Sequence, residues 1–198
     1  MSGELDKLMD VVAWIDDNTG GINLPSDEKS LLASGCFDSA IEHQAAIALL
    51  YNSSLYGSML SLLRVITESL VRGLWILNCA TEKEIAQFKK GKLEKHFGTL
   101  INEYETKIGD SDGILSQFKK TSWSPMNGFL HTGFIQVSRR HSPGKLGGNY
   151  DQIELSHALG VAGALGLIAA GQLIGMAGRS DLTQPFLKKM EEYGNKTP

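Results

Sequence analysis

The chain contains 198 residues, of which 42% are apolar and 21% are charged, a composition that excludes an intrinsically disordered protein and a fibrous repeat. Its formal net charge of −3 argues against a general nucleic-acid coat protein but leaves room for a local basic patch. A chain of this length can bury its own apolar core, so we predict a single domain over residues 1–198.

The first third of the chain has helical periodicity and no convincing hairpin signal. An amphipathic stripe predicts a first helix that ends near Asn18, before a pair of glycines. Ser26 is placed to cap a second helix that runs toward Tyr51, with Gly35 as a possible break. A third helix is predicted over residues 55–79.

The remaining elements are also predicted to be helical. Thr81 and Glu84 have the spacing of a capping box and start a short helix that ends near residue 90. Two amphipathic segments follow, at 92–108 and 113–120. Pro125 suits the first turn of a helix that carries His131. After a loop at 141–150, helices are predicted over 151–178 and from Thr183 onward, so the predicted fold class is all-α, a helical bundle.

The third predicted helix carries a charged stripe, because Arg64, Glu68 and Arg72 recur every four residues. Large apolar side chains occupy the rest of its surface, so these charges should be partly buried. One interpretation is a structural ladder of ion pairs at a rim. The other is that Glu68 orients the arginines toward a ligand or toward His131, since burying a charge is costly unless it is paired or used.

Residues 158–177 carry no charge over twenty residues, a length that could span a membrane. Its many glycines and alanines instead favour a central helix that neighbouring helices approach closely, because the dense Leu, Ile and Phe of an inserted helix are missing. We therefore do not expect a membrane partner. The same glycines favour a two-fold homodimer in which helices pack across or beside the axis.

Residues 122–140 contain the most informative group of polar side chains. Asn127 and His131 are one helical turn apart and share a face, and Arg139 and Arg140 follow them. Arginine beside a titratable histidine suits the binding of phosphate or its chemistry.

Three segments in this order resemble an uncharacterised bacterial family related to the HEPN superfamily: LLRVITESLVRGLWI (62–76), MNGFLHTGFIQVSRR (126–140) and the Gly/Ala-rich helix. The resemblance covers about residues 51–178. It implies a helical bundle, often dimeric, of the kind found in toxins and antiviral defence proteins, many of which are metal-independent endoribonucleases. Asn127 and His131 match the polar residue and the histidine of the HEPN motif, whereas Met126 occupies the place of its arginine.

Two functions follow from these residues. The first is an RNA-directed HEPN-type protein of bacterial defence, with His131, Asn127 and Glu68 as catalytic candidates and with Arg64, Arg72, Arg139 and Arg140 binding the phosphate. The second is a non-catalytic bundle that binds a partner protein or a small phosphorylated ligand. Loss of the motif arginine favours the second, and retention of Asn127 and His131 keeps the first open.

Cofactors and location are predicted from what the sequence does not contain. Cys36 and Cys79 are far apart and have no histidine at zinc-ligand spacing, so we expect neither a disulfide framework nor a metal site. There is no Walker-type loop, no hydrolase elbow and no DNA-binding motif, and we expect no cofactor. The acidic residues of the first ten positions are unlike a signal peptide, which favours a cytoplasmic location.

Overall fold

The computed structural model describes residues 2–195, and within them the chain forms nine α-helices, one turn of 3-10 helix and one very short hairpin. This confirms the predicted all-α class. The elements are α1 (Ser2–Thr19), α2 (Glu28–Asn52), α3 (Tyr56–Asn78), α4 (Glu82–Lys89), α5 (Phe97–Ile108), α6 (Ile114–Leu130), α7 (Phe134–Ser138), β1 (His141–Ser142), β2 (Lys145–Leu146), α8 (Gln152–Met176), the 3-10 turn (Ser180–Leu182) and α9 (Thr183–Asn195).

Helix α3 lies at the centre of the bundle. It packs against α2 and α8 on one side and against α5 and α6 on the other, while α1 covers α2 and α8. Its apolar residues recur all round the helix, so one core cluster continues from α1 to α8. Trp75 of α3 and Phe37 of α2 are fully buried in that cluster and supply its largest side chains.

Three of the five glycines of α8 admit side chains from the same chain, whereas a Cβ atom at Gly160 or Gly175 would meet nothing within 4 Å. A Cβ atom at Gly166 would lie 2.2 Å from Gln44 of α2, and one at Gly171 would lie 2.6 Å from the ring of Phe186 of α9. Helix α8 is the one described helix long and apolar enough to cross a membrane, and 56% of its most apolar window is buried inside the protein. Such burial is expected of the core helix of a soluble protein.

The helices begin with the predicted kind of capping residue, but a different residue caps α2. Thr81 and Glu84 form the complete capping box that their spacing predicts. Helix α2 is capped by Asp27 and not by Ser26, because the Asp27 carboxylate accepts a hydrogen bond of 3.0 Å from the backbone N–H of Ser30. Asp151 caps α8 in the same way.

Two predicted interruptions are wrong. Helix α2 continues through Gly35, where an added Cβ would meet nothing within 4 Å, so this glycine neither breaks the helix nor makes room for a neighbour. Pro125 lies inside α6 and does not begin a helix, which merges the segment at 113–120 with the one that precedes His131. The proline removes one hydrogen bond from α6, and packing against α3 holds the helix together.

The segment predicted as a loop at 141–150 contains a hairpin. His141 pairs with Leu146 and Ser142 pairs with Lys145 across a Pro143-Gly144 turn. Gly144 has φ = +73°, a value that glycine adopts without strain and that suits the third position of a type II turn after proline. The Pro-Gly pair is the sequence signal for this turn.

Candidate functional site

Arg64, the first residue of the charged stripe of α3, mainly holds this helix against its neighbours. Its guanidinium donates hydrogen bonds of 3.0 and 2.7 Å to Glu68, as the spacing predicts. The same guanidinium lies 4.1 Å above the ring of Trp123, which stacks at 4.2 Å on Phe97. Arg64 therefore joins α3 to α5 and α6, and its charge is shared between a carboxylate and an aromatic face.

Arg72 faces a different neighbour. Its guanidinium lies 5.5 Å from the ring of Phe88 in α4. With Glu68 it lines a groove of about 460 Å³ between α2 and α3. The groove also contains Cys36, where burial raises the pKa of the thiol and the charge of Arg72 opposes that shift, so a reactive thiolate is not favoured there.

The residues that match the HEPN motif do not form a polar site. Met126 is only 5% exposed, and its sulfur lies 3.8 Å from the hydroxyl oxygen of Thr67 in α3. Asn127 is half-buried and its side-chain oxygen accepts no hydrogen bond from any residue in the described range. His131 caps the C-terminus of α6, where its backbone N–H donates to the Asn127 carbonyl and its side chain is exposed.

The two consecutive arginines point to different partners. Arg139 reaches α8 and forms an ion pair of 3.0 Å with Glu154. Arg140 is exposed, and none of the acidic side chains within residues 2–195 lies within ion-pair distance of it. Arg140 is therefore the arginine of this pair whose positive charge is available to a ligand.

These placements divide the predicted site among separate locations within one chain. Arg64 and Glu68 meet at the α3–α6 contact, and Arg72 lies farther along α3 against α4. Arg139 belongs to the contact with α8. The cavity that contains Glu68 and Arg72 does not include His131, and neither does the cavity that contains Arg140. Neither of these two cavities is the shared pocket that the sequence predicts.

A cavity that the sequence did not predict lies beside Arg140. Its volume is about 330 Å³. Arg140, Gln136 and Thr132 come from the segment after α6, and Ser58 comes from the start of α3; the other lining residues are Leu55, Gly57 and Val137. Guanidinium, amide and hydroxyl groups are the side-chain donors that proteins use for phosphate oxygens.

The N-terminus of α3 opens on this cavity without a side-chain cap. Leu55 holds the capping position and its side chain cannot accept a hydrogen bond. The first helical bond runs from Met59 N to Leu55 O, so the amide groups of residues 56–58 precede the hydrogen-bond ladder. A 23-residue helix places partial positive charge at this end. An anion in the cavity would meet these amides and the guanidinium of Arg140.

Close packing and backbone strain concentrate around the same cavity. A Cβ atom at Gly57 would lie 2.7 Å from the hydroxyl of Tyr150, so glycine is required for this approach. Ser54 and Thr132 have φ values of +58° and +54°, and they are the two non-glycine residues with positive φ within the described range. Such strain costs on the order of 1–3 kcal/mol per residue and tends to cluster at functional positions.

The sequence contains a charge signal that the motif reading missed. Residues 113–150 include Lys119, Lys120, Arg139, Arg140 and Lys145 and no Asp or Glu. The whole chain carries −3, so the remainder of the chain carries −8. Within this stretch, residues 131–149 form α7 and the hairpin, and we call them the basic arm. Scanning for acid-free segments would have drawn attention to Arg140 and to the surface around it.

Comparison with known proteins adds a family and no activity. No curated protein and no solved structure matches this chain. A family model matches residues 37–198, which extend from the middle of α2 past the end of α9. The chain therefore belongs to a family of unknown function, DUF6988.

Proposed function

We propose that this protein is a non-catalytic helical bundle that binds a phosphate-bearing ligand in the cavity between the start of α3 and the basic arm. The observation that carries the proposal is that a 23-residue helix without a side-chain cap meets the guanidinium of Arg140, which has no ion-pair partner within residues 2–195. Either feature alone is common at protein surfaces. Together they direct amide donors and a fixed charge at one cavity.

The chemistry of the cavity sets the kind of ligand and its affinity. Its hydrogen-bonding side chains are Ser58, Thr132, Gln136 and Arg140, and it has no carboxylate among its lining residues. One charge-assisted hydrogen bond contributes about 1.5–3 kcal/mol, and a helix terminus adds about 0.3–1 kcal/mol. Together they give about 2–4 kcal/mol, which corresponds to a dissociation constant between about 1 and 50 mM for inorganic phosphate. A larger phosphorylated ligand would gain from further contacts.

Catalysis is the less favoured function because its parts are dispersed. Cleavage of RNA needs a base, an acid and a group that stabilises the charged transition state. His131 is exposed at the end of α6, whereas Glu68 lies on α3 and is paired with Arg64. Buried Met126 supplies neither a charge nor a strong hydrogen-bond donor at the motif position.

A HEPN-type endoribonuclease of bacterial defence remains our second candidate. The observation in its favour is that His131 belongs to the basic arm and is accessible beside Thr132, which lines the cavity. RNA phosphate would then be the ligand. A second subunit in the proposed homodimer would supply the groups that one chain does not bring together, and a cytoplasmic location would provide the substrate.

Calorimetric titration with inorganic phosphate tests the binding proposal. Arg140→Gln should weaken binding about tenfold, because it removes the fixed charge and retains hydrogen-bonding capacity. Lys83→Gln is the matched control, since Lys83 is an exposed cation on α4 that does not line the cavity. Equal affinity in wild type and Arg140→Gln would contradict the proposal.

A cleavage assay separates the two candidates. Wild type and His131→Ala are incubated with a single-stranded RNA in the presence of a chelator. The non-catalytic function predicts phosphate binding and no cleavage by either protein. Cleavage by wild type that disappears in a folded His131→Ala protein would establish the endoribonuclease instead.

A further inference from the structure

Exposed apolar side chains surround the proposed phosphate cavity. Phe134 of α7 is 87% exposed and Leu146 of the hairpin is 92% exposed. Leu55 and Val137 are also exposed, and both line the cavity itself. Single exposed apolar side chains are common on protein surfaces, but several of them close together mark a surface that meets an apolar phase or partner.

The fold brings these side chains together around Arg140. Phe134 precedes Val137 by three residues on α7, so the two share a helix face. Gly147 donates a backbone hydrogen bond of 2.9 Å to the Arg140 carbonyl, which holds Leu146 next to that arginine. Leu55 and Val137 thus line the cavity, and Phe134 and Leu146 lie close by along the chain or across the hairpin; we call these four residues the apolar rim.

The basic arm, which contains most of this rim, carries positive charges and no acidic residue. Arg140 and Lys145 are exposed, and both carry a fixed positive charge. Arg139 is neutralised in part by Glu154. A surface with fixed cations among exposed apolar residues is complementary to an interface that is anionic at its surface and apolar just beneath.

We propose that the basic arm docks on an anionic phospholipid bilayer, with a lipid phosphate in the cavity and with Phe134 and Leu146 inserted among the acyl chains. This inference rests on the proposed phosphate site and names the source of its phosphate. Helix α8 remains in the protein core, so the proposed association is peripheral and α8 does not span the bilayer. It differs in this respect from the spanning helix that the sequence argues against.

The identity of the rim residues favours lipid over RNA. A single-stranded RNA gains affinity when its bases stack on aromatic rings. Leu55, Val137 and Leu146 have no aromatic face, and Phe134 is the one aromatic residue in the group. Insertion into lipid rewards aliphatic and aromatic side chains alike.

Co-sedimentation with vesicles tests the inference on the full chain. One set of vesicles is phosphatidylcholine alone, and the other contains equal parts of phosphatidylcholine and phosphatidylglycerol. The apolar variant is Phe134→Ser combined with Leu146→Ser, and the charge variant is Arg140→Gln. Leu31→Ser is the apolar control, because Leu31 is exposed near the far end of α2 from the cavity. Lys83→Gln is the charge control.

Wild type should bind the anionic vesicles and not the neutral ones. The apolar variant should lose at least about tenfold in partitioning, as expected for withdrawing two side chains from the acyl region. Arg140→Gln should lose about fivefold, the effect of one basic residue near an anionic surface. Both controls should bind like wild type, and circular dichroism should show every variant folded.

Two results would overturn the inference. One is no binding of wild type to the anionic vesicles, and the other is equal binding by wild type and the apolar variant. If inorganic phosphate or a single-stranded RNA binds through Arg140 while the vesicles do not, the phosphate site stands and lipid docking is excluded. Failure of all three ligands would remove the phosphate site as well.

Discussion

The α2–α3–α8 core and the basic arm use the same kinds of residue for opposite purposes. In the core, glycine lets side chains approach closely, and a Cβ atom at Gly73 would lie 2.6 Å from the ring of Phe37. At the arm, a cavity remains open where Gly57, Ser58 and Arg140 meet. Aromatic residues show the same contrast, since Phe37 is fully buried and Phe134 is largely exposed. Residue type alone therefore does not tell structural from functional positions.

Arg64 and Arg140 show the contrast between the core and the basic arm most clearly. Arg64 has a carboxylate partner and an aromatic face, so its charge is satisfied inside the fold. Arg140 has neither and lines a cavity. A packed arginine contributes to stability and a ligand-facing one contributes to binding. Substitutions in the two regions should therefore change different measurements.

The largest expected effect is in the core, at Gly73→Ala. Adding a methyl group against the buried ring of Phe37 should lower the free energy of unfolding by about 1–3 kcal/mol, the usual cost of overpacking. Urea unfolding measures it. Gly35→Ala is the matched control, because a Cβ there meets nothing within 4 Å and alanine favours the helix by up to about 1 kcal/mol. Equal stability of Gly73→Ala and wild type would mean that the two helices separate easily.

Arg64→Met should have the next largest effect, and it should lower stability without changing phosphate binding. It removes the ion pair with Glu68 and the contact with Trp123, which together contribute on the order of 1 kcal/mol at a partly buried position. Thermal unfolding should show the loss, and calorimetry should show unchanged phosphate affinity. Arg140→Gln should give the opposite pair of results. A loss of phosphate affinity in Arg64→Met would restore the charged stripe to the site.

Local signals in the sequence predicted the helices of the core well, but they do not contain the contacts that form the candidate site. Helical periodicity, the capping box at Thr81 and the four-residue spacing of Arg64 and Glu68 depend on residues close in sequence, and each produces the expected local structure. The candidate site depends on contacts between distant segments. Whether Ser58 and Arg140 line the same cavity depends on how α7 returns to the start of α3, and no spacing rule contains that information.

Pro125 shows a second reason for the difference. Proline in the first turn of a helix is a strong local preference, and it led to the prediction of a helix start. Packing of α6 on α3, with Trp123 against Arg64 on one turn and Met126 buried on the next, holds the helix continuous instead. Tertiary contacts outweigh one missing hydrogen bond. His131 lies at the C-terminal cap of this helix, one residue past Leu130.

A pH titration of stability tests the ion pair between Glu84 of α4 and Lys95, which precedes α5. Burial alone would raise the pKa of Glu84, but hydrogen bonds from Lys95 and Thr81 outweigh it and lower the pKa to about 2. The stabilising contribution is therefore present above the ordinary pKa of the carboxyl, 4.5, and is lost as the pH falls toward 2. Solvent screening limits it to about 1 kcal/mol or less.

Glu84→Gln is the variant for that titration. It keeps a side-chain acceptor for Thr81 and removes the titrating charge, so its stability should fall less steeply than that of wild type between these two pH values. Chemical denaturation across the range gives both curves. Parallel curves would show that Glu84 is not held ionised by Lys95 in solution.

The smallest expected effect on stability is that of substituting His131. This substitution tests whether a side chain of the basic arm contributes to the stability of the fold. Its side chain is exposed and has no hydrogen-bond or ion-pair partner within the described residues, so His131→Ala should change the free energy of unfolding by no more than about 0.5 kcal/mol. Thermal and urea unfolding measure this directly. A loss above 1 kcal/mol would place His131 in the packed part of the molecule and would count against its catalytic role in the endoribonuclease candidate.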